Sequence, residues 1–247
     1  MVGYAIRCGL ARFLPPKPHI LLACMPKSAS SFLARAIAEL PGMSQRGISE
    51  SHRRREQELD RIRLIKNHHR SYVAQQHIRY SEETDGLMRE YNIVPIVLTR
   101  DLTDVVASFR DGMRSESFVC PFAWFQAEHV RLPDSELEEM IADHVMPWYV
   151  QFAESWKNCG YALHVHYDEV RRNPAQVLRK IATAGSIRAS ESEIQTAVNR
   201  ARQISPRFNK GVSGRGREIS PKAREHIRRL LSRYDDTAAA GLRSHNI

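Results

Sequence analysis

Lys27 is the residue whose setting first suggests chemistry. It lies in "CMPKSASSF", between an apolar run that reads as a buried strand and an amphipathic pattern that reads as a helix. The first N–H groups of such a helix lack backbone partners. With the hydroxyls of Ser28, Ser30 and Ser31 and the charge of Lys27, the turn is equipped to hold an anion. Nucleotide-binding loops of the form G-x-x-x-x-G-K-[ST] do this with glycines that let backbone amides close around phosphate. Leu21 and Pro26 occupy both glycine positions here, and only the Lys-Ser pair remains. That disfavours an ATPase or kinase. The competing reading is a serine that merely caps the helix beside a solvated lysine.

The elements that must position Lys27 alternate along the chain. Residues 19–24, 63–66, 94–99 and 162–166 read as strands. Helical patterns cover 30–40, 82–91, 102–113, a long stretch 135–157, and 174–184, followed by polar and basic helices at 190–202 and 221–234. Alternation of this kind predicts an α/β three-layer sandwich, a central parallel sheet flanked by helices, with ligands at the carboxyl ends of the strands. The 247 residues fit one domain, with 1–17 as an extension and 236–247 as a disordered tail. A formal net charge of +9 calls for a polyanionic partner: nucleic acid, anionic lipid or a multiply phosphorylated small ligand. No apolar run reaches the roughly 18 residues of a membrane span, and no secretory signal is evident. The four cysteines, Cys8, Cys24, Cys120 and Cys159, show neither zinc nor disulfide spacing, which fits a reducing cytoplasm. In "HVHYD", His164 and His166 point to one side of a strand, but with no third ligand at useful spacing a structural role outweighs a metal site.

Four segments, in order, carry a resemblance: "PKSASSF", "IVLTRDLTDVVASF", "YDEVRRNP" and "FNKGVSGRGRE". They resemble the sulfotransferases that use 3′-phosphoadenosine 5′-phosphosulfate (PAPS), and they span most of the chain. The resemblance implies the P-loop NTPase-like sulfotransferase fold and PAPS as sulfuryl donor. The first segment matches the family's P-K-[ST]-G-[ST]-[ST]-[FW] loop except at Ala29, where glycine is usual and positive φ is better tolerated. By the same resemblance Lys27, Ser28, Ala29, Ser30 and Ser31 hold the phosphosulfate, while Arg100 and Ser108 grip the 3′-phosphate. A guanidinium at a strand end followed by a serine two helical turns later suits that task. Tyr167 would lie near the adenine, and Lys210, Gly211 and Gly214 belong to a late loop that closes over the 3′-phosphate. Arg215 and Gly216 depart from the acidic residue and tryptophan that many members have there.

Sulfuryl transfer would then rest on positioning and charge stabilisation, with Lys27 neutralising the leaving phosphate and no metal required. The acceptor hydroxyl or amine, on a small molecule, glycan or lipid and not on nucleic acid, must lose a proton to a base. "IKNHHR" resembles the K-T-H segment that ends the second strand in many members. That makes Lys66 the second stabilising lysine and His68 the base, with His69 as rival. A degenerate P-loop kinase or NTPase, and a non-catalytic basic protein binding nucleic acid or lipid through Arg53 to Arg55 and the carboxyl-terminal arginines, are the alternatives. "FVCPFAWFQAEH" lines an acceptor pocket or packs in the core.

Overall fold

Strand β1 (His19–Cys24) is fully buried, and its side chains alternate between two apolar layers. The computed structural model describes residues 17–49, 58–115, 123–204, 213–234 and Leu242. In chain order the further elements are α1 (Ser30–Ala38), α2 (Arg61–Asn67), β2 (Tyr72–Gln76), α3 (Glu82–Glu90), β3 (Ile93–Thr99), α4 (Leu102–Ser115), α5 (Asp134–His144) and α6 (Met146–Trp156). β4 (Leu163–His166), α7 (Tyr167–Arg172), α8 (Pro174–Ala184), α9 (Glu191–Ile204) and α10 (Pro221–Leu231) complete them, with short 3₁₀ turns at His129–Arg131 and Arg215–Arg217.

All strand pairs are parallel, in the order β2-β1-β3-β4. His19 pairs with Tyr72 on one side and Ile93 on the other, so the strands start level. Leu21, Ala23, Ala74 and Val97 join residues of α4, α5, α6 and α10 in one core. Ile20, Leu22, Val73, Leu98 and Val165 join α1, α8 and α9 in a second core on the opposite face. The expected three-layer α/β sandwich is therefore present. Because β1 has successors on both sides, the crevice above its carboxyl end is the place where such sheets receive ligands.

Three sequence expectations are corrected. Residues 63–66 are not a strand but part of α2, whose N-cap Asp60 accepts the Arg63 N–H at 2.9 Å. The second strand is β2, nine residues beyond the expected start. The single long helix over 135–157 is two helices meeting at Val145, because Pro147 in the first turn of α6 has no N–H to continue α5. The tail at 236–247 is not wholly detached: Leu242 is buried, and its carbonyl accepts the Leu102 N–H at 3.1 Å. Residues 1–16, Arg53 to Arg55, Cys8, Cys120, Lys210 and Gly211 lie outside the described residues. Among the described residues, no helix is long and apolar enough to cross a membrane.

Candidate active site

The carboxyl ends of all four strands carry polar residues that the core cannot explain. After β1, the backbone of Lys27 and Ala29 enters the left-handed region, with φ of 62° and 65°. Ala29 is the N-cap of α1 and supplies no side-chain hydrogen bond. The neighbouring serines do not cap the helix either: Ser28 Oγ donates to the Met25 carbonyl at 2.5 Å, and Ser30 Oγ accepts from Gln75 Nε2 at 3.0 Å. The simple serine-cap reading therefore fails. The first turn of α1 opens uncapped by side chains beside a lysine, as an anion-binding turn requires.

Arg100 ends β3. Although buried, its guanidinium is fixed on three sides: Nη1 donates to the Lys27 carbonyl at 2.6 Å, Nη2 lies 3.7 Å from Asp104 Oδ2, and Cζ sits 3.9 Å from the centre of the Tyr167 ring. Arg100 thus couples the β1 loop, the start of α4 and the end of β4. Tyr167, at the start of α7, is buried with Arg100 stacked on it, an arrangement of cation on aromatic face worth up to about 2 kcal/mol when desolvated. Burial raises its phenol pKa. Ser108 lies on α4, two turns after Arg100.

Asp104 carries the same assembly to the late glycine loop. Its Oδ1 accepts the Gly216 N–H at 2.8 Å and its Oδ2 the Gly214 N–H at 3.0 Å. Gly214 has φ of 84°, which favours glycine, and a Cβ on Gly216 would lie 1.7 Å from Thr103 Oγ1, which requires it. Arg215 pairs with Asp111 on α4 at 2.7 Å, and Ser213 donates to Asp168 at 2.5 Å. Arg215, one of the departures from the usual loop, therefore pins the loop to α4.

His68 and Lys66 are not brought to this place. Lys66 is exposed on α2, and His68 caps the end of that helix at the amino edge of the sheet, where its carbonyl lies 3.0 Å from His19 Nε2 and its ring 5.1 Å from the His19 ring. A six-residue strand separates that edge from Lys27, roughly 20 Å at strand rise. His69, the rival, donates nothing to the site either; its Nε2 accepts from Arg70. The residue that follows the true second strand is His77. Its Nδ1 lies 2.8 Å from the Cys24 carbonyl at the end of β1 and 3.6 Å from Cys24 Sγ. A carbonyl can only accept, so Nδ1 carries the proton and the basic lone pair is on Nε2. The Cys24 thiol donates to the Gln76 carbonyl at 3.4 Å. The sequence signal for His77 was its place in "QQH", directly after a strand that the glutamines disguised. His166, for its part, uses Nδ1 to accept the Asp168 N–H as the cap of α7.

The described residues contain no group of three or more His, Cys, Asp or Glu side chains arranged to hold a metal ion. What the strand ends assemble is an uncapped helix start, Lys27, Arg100, a docked glycine loop and His77, on a doubly flanked parallel sheet. This is the sulfotransferase fold, a P-loop-like class of α/β protein. Mouse sulfotransferase SULT7A1 in complex with PAP superposes with a TM-score of 0.65 at 19% identity, over 94% of this chain and 90% of that one. Retinol dehydratase in complex with androsterone and PAP gives 0.58 at 14% identity over 99% and 88%, and sulfotransferase STF9 from Mycobacterium avium 0.55 at 12% over 95% and 80%. No family model and no curated protein matches the chain.

Proposed function

We propose that this protein is a PAPS-dependent sulfotransferase that acts on a hydroxyl or amine acceptor. The observation that carries the reading is the convergence of Lys27, Arg100 and His77 just beyond the ends of β1, β3 and β2 in a sulfotransferase fold. Bound there, PAPS would supply a sulfuryl group on a phosphosulfate anhydride, so that transfer breaks its S–O bond to phosphate and forms an S–O bond to a hydroxyl acceptor or an S–N bond to an amine. Lys27 and the N–H groups opening α1 hold the negative charge that grows on the phosphate side. Arg100, Ser108 and the loop through Lys210, Gly211 and Gly214 bind the second phosphate, and Tyr167 braces Arg100. His77 Nε2 accepts the acceptor's proton, while the Cys24 carbonyl fixes the tautomer.

His77 replaces His68 in this mechanism. Gln75 stands where the second stabilising lysine was expected from Lys66, and donates to Ser30 instead of bringing a charge. The test is saturable PAP binding by calorimetry, followed by transfer from sulfur-labelled PAPS to panels of alcohols, phenols, amines, glycans and lipids. A wild-type protein that does not bind PAP sinks the reading. Arg100→Ala should weaken PAP binding by more than about 1.5 kcal/mol, since a charge-assisted contact is lost; unchanged affinity would remove Arg100 from the site.

A further inference from the structure

Gly112 sits inside α4, where glycine weakens a helix relative to alanine and no positive φ demands it. Its surroundings supply the reason. A Cβ at position 112 would lie 2.4 Å from Lys27 Nζ and 2.9 Å from Lys27 Cε, distances at which one group must move. Among the described residues outside α4 and its immediate neighbours nothing else is met within 4 Å, so the space left by the missing side chain is taken by the end of the lysine. The root of the same lysine is held independently: its carbonyl accepts from Arg100 at 2.6 Å, and its backbone is locked at φ of 62°. Gly112 also lies one turn beyond Ser108, on the same stripe of α4.

We propose that Gly112 is a positioning residue for Lys27: the bare backbone of α4 at this point is the seat of the lysine ammonium. The role in transfer rests on the reading of Lys27 given above, whereas the seat itself does not. A methyl group at 112 has only a flexible side-chain tip to displace, so Gly112→Ala should fold, with a melting temperature at or above that of the wild type. The ammonium should leave α4 for solvent.

The experiment compares wild type, Gly112→Ala, Lys27→Ala and the double variant. Acylation of Lys27 by a succinimidyl ester, followed by peptide mass mapping, should be about threefold faster or more in Gly112→Ala, because an amine packed on a helix becomes accessible. Turnover should fall about tenfold with acceptor KM unchanged, the pattern of a lost transition-state contact. In the Lys27→Ala background, Gly112→Ala should cost nothing further in turnover or PAP affinity. Unchanged Lys27 labelling overturns the seat, and faster labelling with wild-type turnover overturns its role in transfer. If the wild type fails to bind PAP, the sulfotransferase reading falls, and the labelling comparison still decides the seat. Should Gly112→Ala not fold, the acylation rate of Lys27 in the wild type is set against that of the exposed Lys66, and a rate at Lys27 no slower than at Lys66 overturns the seat.

Discussion

Asp104 is held by two glycine amides and lies beside a buried guanidinium, and only a carboxylate satisfies all three. An asparagine would retain one acceptor and turn an NH₂ group towards an N–H. Asp104→Asn should therefore lower stability by about 1.5 to 3 kcal/mol, the range for hydrogen bonds to a charged group. It should also weaken PAP binding, because the glycine loop loses its anchor. Urea unfolding and calorimetry check both effects; intact PAP affinity would show that the loop closes without Asp104. Ala29 makes the opposite case. Its φ of 65° is strained for any residue with a Cβ, at a cost of about 1 kcal/mol. Ala29→Gly should raise stability by about that amount and keep PAP affinity. A large loss of affinity would overturn the proposed loop geometry.

Which strand ends where decides which histidine can act. "RLIK" has the short apolar look of a strand, but Asp60 before it is a helix cap, and α2 follows at once. β2 reads "YVAQQ", and its two glutamines broke the apolar pattern that marks a buried strand. The polarity has a physical cause: among the described residues β2 is the outermost strand, bridged on its far side by Gln45 at Val73, and Gln75 spends its amide on Ser30 in the Lys27 loop. A hydrogen bond to the loop thus took the place of the apolar signal for the element. β1, β3 and the loop after β1 were legible because local rules govern them: continuous burial, and a lysine-serine turn before an amphipathic helix. His77 was not, because its role depends on register across β1 and β2. His77→Ala should reduce turnover at least about a hundredfold while sparing PAP affinity, the scale of a lost general base. His68→Ala should leave turnover near wild type. The reverse result in a sulfuryl-transfer assay would return the base to α2.

At the scale of the whole molecule, the two edges of the sheet have different duties. The proposed site lies at the carboxyl edge, while the amino edge packs His19 against Tyr72 and His68, with ring centres 4.6 Å and 5.1 Å apart. Both His19 nitrogens face carbonyls, of Tyr91 at 2.7 Å and His68 at 3.0 Å, and a neutral ring can donate to only one of them. Those carbonyls favour the charged ring, but burial outweighs them and lowers the pKa of His19 below 6.5. Burial, then the nearby His19 and His69, lowers His68 as well, and burial lowers His164. A folded state that keeps these rings neutral binds fewer protons than the unfolded chain. Its stability is therefore complete above the unfolded pKa of 6.5 and is lost as the pH falls through the depressed folded values. The urea midpoint should drop between about pH 7.5 and about pH 5.5, above the range in which ordinary carboxylates titrate. His19→Gln keeps one amide donor for a carbonyl and cannot charge, so it should flatten that slope whatever its effect on the midpoint itself. An unchanged slope would mean that the fold leaves the proton affinity of His19 where it is in the unfolded chain, and a steeper slope that its two carbonyls outweigh its burial and hold it protonated.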